Sequence, residues 1–371
     1  MTVLKGQLAK LAGGLMADPI PNAPPSDFTV VPTTGSEAAA LLEFAAQHRM
    51  KVLFWGGGTH QGYGHPVDPD LVMATTGMDR VLDWQAEDLT IAVEPGMPVS
   101  QLDAMLEQRG QTAVLPENSL GATVGGVVAA GLSGWRRLRY GPTRDRVLEV
   151  ELATGDGRLV RGGGRLVKNV TGYDLPRLAT GSYGSLGLIA SVCLKLWPLT
   201  SERAMLEVAD PEQALGRAYR PHAVIETNDA ATVYLAGTKE EIAAQAKRIG
   251  GRLIPGHRWP SPLPGSWELS LRVPPAATSD FADRIRKLGF PFQAAHGTGE
   301  ILFVVADTRE LAEIRAAAES RGGGLVVSRA PDATEFDPWG TPPGSIGLQR
   351  RVKMAFDPIG VANPGILPGG I

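Results

Sequence analysis

The feature that most limits what this chain can fold into is a strand that ends in three glycines. Residues 51–55 (KVLFW) read as a short buried strand, and they run straight into Gly56, Gly57 and Gly58, then Thr59, His60 and a stretch that ends at Gly64. With no Cβ to restrict the dihedrals or block approach, successive backbone N–H groups can converge on one point. Such a nest binds phosphate oxygens, and the Thr59 hydroxyl offers one more donor. A triple glycine on its own is more often a tight surface turn, so the context decides. The loop lacks the GxGxxG, helix and acidic residue of a Rossmann site, and it lacks the Gly-Lys-Ser/Thr of a nucleotide P-loop. A diphosphate held by backbone amides, without a lysine, fits better.

Three further segments share this character. LGATVGGVVAAG (residues 120–131) reads as a close-packed loop into a helix, with Thr123 as donor and Gly125 and Gly126 permitting backbone contact; its plainer reading is a helix start packed on a sheet. YGPTRD (residues 140–145) holds Thr143 and sets Asp145 beside a guanidinium at a turn, which an ion-paired surface turn would also do. YGSLGLI (residues 183–189) places Gly184 and Gly187 in a turn leading to a buried strand at Ile189, whose amides can pair with an adenine edge. It lies within one continuous run, residues 165–198. Each segment alone is weak; together they point to a bound FAD.

Composition removes several alternatives. The 371 residues suffice for two to three domains with a substantial core. A net charge of −3 and the absence of a long Lys/Arg run argue against nucleic acid as a partner. With 46 glycines and 29 prolines but no short-period repeat, the excess belongs to turns and ligand loops. The single Cys193 allows neither an internal disulfide nor an iron-sulfur cluster, and no metal site is expected. The longest uncharged apolar stretch, residues 121–135, is too short and glycine-rich to span a membrane. Leu4, Leu8, Leu11 and Leu15, with Lys5 and Lys10 between them, predict a short amphipathic helix with no cleavage site after it. The expectation is a cytoplasmic protein, reaching the inner face of a membrane only through partners.

The order of elements is readable. A Pro-rich linker (19–25) precedes a helix over 36–48; strands are predicted at 71–75, 79–84 and 89–96, and a helix at 99–109. Residues 147–161 form a hairpin turning at Gly155-Asp156-Gly157. Beyond Pro198, alternating strand and helix signals predict an α+β cap, with no repeat of fixed period visible. A proline-rich stretch (331–343) then leads to a helix over 347–356 and to Asn363-Pro364-Gly365. The expected units are 1–27, 28–198, 199–330 and 331–371.

WGGGTH, the 93–110 stretch VEPGMPVSQLDAMLEQRG, GATVGG, YGPTRD, YGSLGLI and the terminal DPIGVANPG together resemble the vanillyl-alcohol-oxidase (PCMH) type of FAD-binding proteins, in their linked-oxidase branch. The match covers residues from about 28 to 198 and the last 20 or so. Within that branch, AGLSGWRRLRYGPTRDRVL and GGRLVKNVTGYDLPRLATGSYGSLG are similar to the FAD-binding E subunits of bacterial glycolate oxidases. The resemblance implies an α+β fold: two α+β subdomains clasping FAD, with a smaller ferredoxin-like cap over the isoalloxazine. It implies that Gly56, Gly57, Gly58, Thr59 and His60 wrap the diphosphate, and that Thr123, Gly125 and Gly126 lie along the ribityl and flavin. By the same resemblance Thr143 belongs to the cofactor-binding set, Asp145 orders the loop below, Gly184, Gly187 and Ile189 meet the adenine end, and Asn363 closes the site. Relatives with a covalent flavin carry a histidine where this chain has Thr59, so FAD is expected to be non-covalent.

Oxidising a 2-hydroxy acid needs a base, an arginine clamp and a flavin to take the hydride. The chain has arginines to spare, Arg136, Arg137, Arg139 and Arg144, but no evident base. Arg136, Arg137 and Arg139 are expected at the flavin edge or a subunit contact rather than in the core. His65, His222 and His257 read as surface or loop residues; His296-Gly297-Thr298-Gly299 only hints at the catalytic subunits' His-rich segment. Lys168 and Tyr173 suit either the flavin or a partner. The catalytic residues are thus unknown, and three functions stay open. The first is a flavoprotein component of a glycolate-oxidising complex, beside a homologous catalytic FAD subunit and an iron-sulfur subunit. The second is a self-sufficient FAD-linked 2-hydroxy-acid dehydrogenase, and the third a non-catalytic structural subunit.

Overall fold

The computed structural model describes residues 2–12, 14–117, 120–165, 172–254, 256–331 and 336–371, with side chains of the first helix from Gly6 onward. Two α+β subdomains and a cap are built on separate sheets. The first subdomain is a three-stranded parallel sheet: β1 (Phe28–Val30), β2 (Val52–Trp55) and β3 (Leu71–Ala74), in the order β1-β3-β2. Helix α1 (Thr2–Ala12) packs on α2 (Gly35–His48), and Leu8, Leu41 and Leu42 are buried between them and the sheet. Thr34 starts α2 with a reciprocal capping box to Glu37. That fixes where the chain turns back toward β2 and its glycines.

The second subdomain is a five-stranded antiparallel sheet, order β4-β5-β9-β7-β8, from β4 (Val81–Gln85), β5 (Thr90–Val93), β7 (Val147–Thr154), β8 (Leu159–Gly163) and β9 (Gly187–Lys195). The two-residue strands β6 (Gln111–Thr112) and β10 (Trp197–Pro198) pair at its end. Helices α3 (Val99–Glu107) and α4 (Val124–Ala130) cover it through Leu102, Leu106, Val124, Val127 and Val128. Two shorter helices, α5 (Arg137–Tyr140) and α6 (Leu175–Ala179), lie at its borders.

The cap departs from expectation by holding one ferredoxin-like unit twice. In the first half, β11 (Glu202–Val208), α7 (Pro211–Arg217), β12 (Ala223–Thr227), β13 (Ala231–Gly237), α8 (Lys239–Ile249) and β14 (Arg252–Ile254) make a βαββαβ unit with strand order β14-β11-β13-β12. The second half repeats it: β15 (Trp267–Arg272), α9 (Thr278–Lys287), β16 (Phe292–Ala295), β17 (Glu300–Val305), α10 (Leu311–Ser320) and β18 (Gly324–Arg329), ordered β16-β17-β15-β18. Antiparallel pairing of β12 with β16, Ile225 opposite Ala295, joins them into one eight-stranded sheet. The repeat escapes a search for fixed period because only the alternation of apolar positions is shared. Helix α11 (Ile346–Phe356) then returns the chain to the first two sheets.

Candidate functional site

Strand β2 ends at Trp55, and the loop behind it has no side chains to keep neighbours away. A Cβ on Gly56 would strike the Thr123 hydroxyl, and one on Gly57 the carbonyl of Gly121. The loop at 56–58 therefore packs backbone to backbone on the 121–126 segment, and a Cβ on Gly125 would in turn strike Pro95. Among the described residues the amides of Gly57, Gly58, Thr59 and His60 donate to no protein acceptor. Four unanswered donors in succession suit an anion such as a diphosphate. Gln61 closes the loop by donating to the Phe54 carbonyl (3.0 Å).

These loops form one wall of a cavity of about 710 Å³, its open mouth included. Gly56, Gly57, Gly58, Thr59, His60, Thr123, Gly125, Gly126, Gly184, Gly187, Ile189 and Asn363 all line it. Thr123 caps α4, its Oγ1 accepting from Gly126 N (3.3 Å). Asn363 ties three segments together: its amide N donates to Val52 O (2.9 Å), its Oδ1 accepts from Phe54 N (2.9 Å), and its Nδ2 donates to Tyr183 O (2.7 Å). The sequence did not single out Pro95, Ala129, Tyr183 or Ile366, which also line the cavity. The Pro95-Gly96 pair after β5 was the available signal for the first of these.

Two expected residues lie elsewhere. Thr143 is fully buried, donating to Leu132 O and accepting from Arg146 (2.7 Å), so its hydroxyl is used up within the fold. Asp145 faces solvent, where it pairs with Arg177 (3.2 Å) and Arg144 (3.8 Å). His60 is partly buried beside Thr59 (Nδ1 to Oγ1, 3.0 Å), and burial lowers its pKa to about 4, leaving it neutral at neutral pH. Tyr173 is 97 % exposed beside edge strand β8, away from the cavity, and Lys168 lies outside the described residues.

Gly58, Thr59 and His60 also border a second space of about 1210 Å³, between the 58–63, 116–117 and 132–135 segments and the cap's second half. Its carboxylates are Glu117, Glu268 and Glu300, and each has an arginine. Arg136 pairs with Glu117 in a nearly buried contact, Arg329 with Glu268, and Arg272 with Glu300 (3.7 Å). Arg136 is only partly exposed, and Glu117, which lines the cleft, supplies the partner that burial requires. Arg139 donates to the carbonyls of Arg220 (3.0 Å) and Ala236 (3.4 Å), a contact with the cap. Tyr63 reaches Ser328 across the cleft; burial, with Tyr183 and Glu300 nearby, holds its phenol well above the ordinary range.

His257 lies in a loop, as expected, whereas His222, just before β12, is not at the surface. His222 is buried against the Tyr140 hydroxyl (3.2 Å), and burial pulls its pKa down to about 3, with Arg139 and Arg136 adding to the effect. His257 packs edge-on to Tyr234 and Trp259. His296 is buried against Glu226 (2.7 Å), on the cap's seam rather than in the cleft.

Residues 26–163 match the model of an FAD binding domain. Over 312 residues the chain is 30% identical to glycolate oxidase subunit GlcE of Escherichia coli, which aligns with 77% of this chain and over 83% of its own length. The chain belongs to the GlcE family. Membership makes it an FAD-dependent oxidoreductase component with FAD as its cofactor, and the Cβ-free cradle with its unanswered amides fits that group. GlcE-type chains share part of their length with other flavoproteins. Glycolate oxidase subunit GlcD of Bacillus subtilis is 33% identical over 174 residues, 46% of this chain and 37% of that one. A D-lactate dehydrogenase of Archaeoglobus fulgidus is 31% identical over 244 residues, 65% of this chain and 53% of that one. Among solved structures, an alkyldihydroxyacetonephosphate synthase superposes with a TM-score of 0.62 at 15% identity, covering 92% of this chain and 77% of that one. The fold is common to both.

Proposed function

We propose that this chain is the FAD-binding subunit of a glycolate-oxidising complex, working beside a homologous catalytic FAD subunit and an iron-sulfur subunit. The complex converts glycolate, or a related 2-hydroxy acid such as D-lactate, to the 2-oxo acid. Bound FAD would supply an acceptor for electrons passed on from the catalytic partner. The chain's own residues hold it non-covalently, the amides of 57–60 on the diphosphate and Thr123, Gly125 and Gly126 along the rest.

One observation carries the accessory role. The charges of the cleft beside the cavity are balanced from within, since Glu117, Glu268 and Glu300 each face an arginine. A 2-hydroxy acid brings a carboxylate, which an excess of positive charge would attract and a balanced cleft does not. The candidate proton acceptors are also poor: His60 titrates at about 4, and the Tyr63 phenol is held neutral. Base and clamp are thus assigned to the partner. No helix of the described residues is long and apolar enough to cross a membrane, so attachment to the inner face of a membrane would come through those partners.

Co-expression with a homologous flavoprotein chain and an iron-sulfur chain from the same organism tests this. A stable complex with two flavins and bound iron, oxidising glycolate only when all three chains are present, is the expected result. A single chain that purifies alone and turns over glycolate would refute it.

A further inference from the structure

The cofactor cavity is closed on one side by a tail that comes from the far end of the sequence. A buried ion pair holds that tail. Lys353, near the end of α11, is 8 % exposed, and Asp357, just past it, is 1 % exposed. Every proton of the Lys353 ammonium has an acceptor: Asp357 Oδ2 (2.7 Å), Ser185 O (2.6 Å) and Ala362 O (2.7 Å). Asp357 accepts in addition from the amides of Gly360 (3.0 Å), Val361 (3.0 Å) and Ala362 (2.8 Å). A Cβ on Gly155 would strike the Asp357 carboxylate, so β7's turn is shaped around it.

These bonds join the turn at 183–187 to the C-terminal tail. Ser185 belongs to the Tyr183–Gly187 turn, where Tyr183 and Gly184 both have positive φ (52° and 73°). Ala362 immediately precedes Asn363, itself at φ 38°. Tyr183, Gly184, Gly187 and Asn363 all line the cavity, whereas neither Lys353 nor Asp357 does. One ammonium therefore sets the distance between the turn and the tail, and the carboxylate folds residues 360–362 so that Asn363 reaches both Phe54 N and Tyr183 O. A buried charge bonded on all sides fixes geometry more tightly than apolar packing, since each misplaced partner leaves an unpaired polar group.

We propose that Lys353 and Asp357 are positioning residues for the cofactor: they pre-form the Asn363 wall of the cavity before FAD arrives and so set FAD affinity without touching it. The proposal rests on this cavity being the FAD site. Full-length apo-protein is titrated with FAD at a temperature where parent and variants are folded. Lys353→Met, of similar length but uncharged, is expected to bind FAD at least tenfold more weakly. Leu102→Ala, on the buried face of α3 and outside the cavity lining, serves as a destabilised control and keeps its affinity within about threefold.

Combining Lys353→Met with Asn363→Ala is expected to weaken binding no further than the stronger single change, because both act through the same wall. Parental affinity in Lys353→Met, or effects that multiply in the double variant, would overturn the proposal. Should Lys353→Met fail to fold, Asp357→Asn carries the same comparison. Independently, amide exchange in the apo parent is expected to show residues 182–187 and 360–363 already protected. Protection gained only on adding FAD would overturn the pre-formed wall. Unchanged FAD affinity in Gly57→Leu would instead overturn the cavity assignment, so the two failures are distinguishable.

Discussion

In the two halves of the cap the same strand order carries opposite surfaces. On the helix side both are apolar, with Leu206, Val224, Val233 and Leu235 in the first half and Leu269, Leu271, Phe292, Ile301 and Phe303 in the second. The other face is where they part. In the first half Met205, Ala223, Ile225 and Tyr234 close on Trp135 from the FAD-binding domain, with Trp259 stacked on Tyr234 (4.4 Å between centroids). In the second half Glu268, Gln293 and Glu300 look into the cleft instead. The helix-side pattern makes the fold, and the free face decides the use: one unit is an anchor and the other a roof.

The anchor should be the costlier to break. Trp135→Ala is expected to destabilise the chain by about 4 kcal/mol, the usual cost of emptying a buried aromatic site, read as a lowered urea midpoint. A loss under about 1 kcal/mol would mean that the first half is not held by its apolar face.

The seam between the halves comes next. Glu226 receives His296 and Arg286 there. Burial raises its pKa, but the His296 and Arg286 hydrogen bonds outweigh this and hold it below the ordinary carboxylate value. Glu226→Gln should cost about 2 kcal/mol at pH 7. A depressed folded-state pKa contributes stability above the unfolded value and loses it as pH falls through the folded one. The gap between parent and variant should therefore close below about pH 4. A gap independent of pH would assign the effect to packing.

On the roof the effects should be small. Tyr63→Phe removes one bond to Ser328, about 1 kcal/mol. Glu300→Gln removes a pair whose arginine is half exposed, less than about 1 kcal/mol. Its informative readout is ligand binding: freeing Arg272 should make the flavin spectrum respond to oxalate several-fold more tightly than in the parent. No change would show that cleft charge balance does not govern anion binding.

How much of this the sequence disclosed follows the same division. Glycines are legible because their roles are negative: Gly57 and Gly125 mark places where a Cβ cannot fit, and twelve of the residues picked, Thr59, His60 and Asn363 among them, meet at one cavity. Elements with strong local signals, such as α2 with its capping box and the β7–β8 hairpin, lie where the pattern put them. Pairings across long separations were invisible. Glu117 for Arg136, Glu226 for His296 and Ser185 for Lys353 are chosen by the tertiary fold, and nothing local announces them. That is why nothing in the sequence signals that Arg136 has an internal carboxylate partner or that His222 is buried. Thr143 shows the reverse error: its motif is local, but its hydroxyl is committed to Leu132 and Arg146.

On the proposed function, this chain holds FAD beside a cleft that is not built to take a 2-hydroxy acid by itself. Anaerobic stopped-flow mixing of the purified FAD-loaded chain with glycolate tests that directly. The flavin band should persist on addition of glycolate or D-lactate and bleach with dithionite, and glycolate should bleach it once the partner subunits are restored. Rapid bleaching by glycolate in the isolated chain would contradict the account and establish a self-sufficient dehydrogenase.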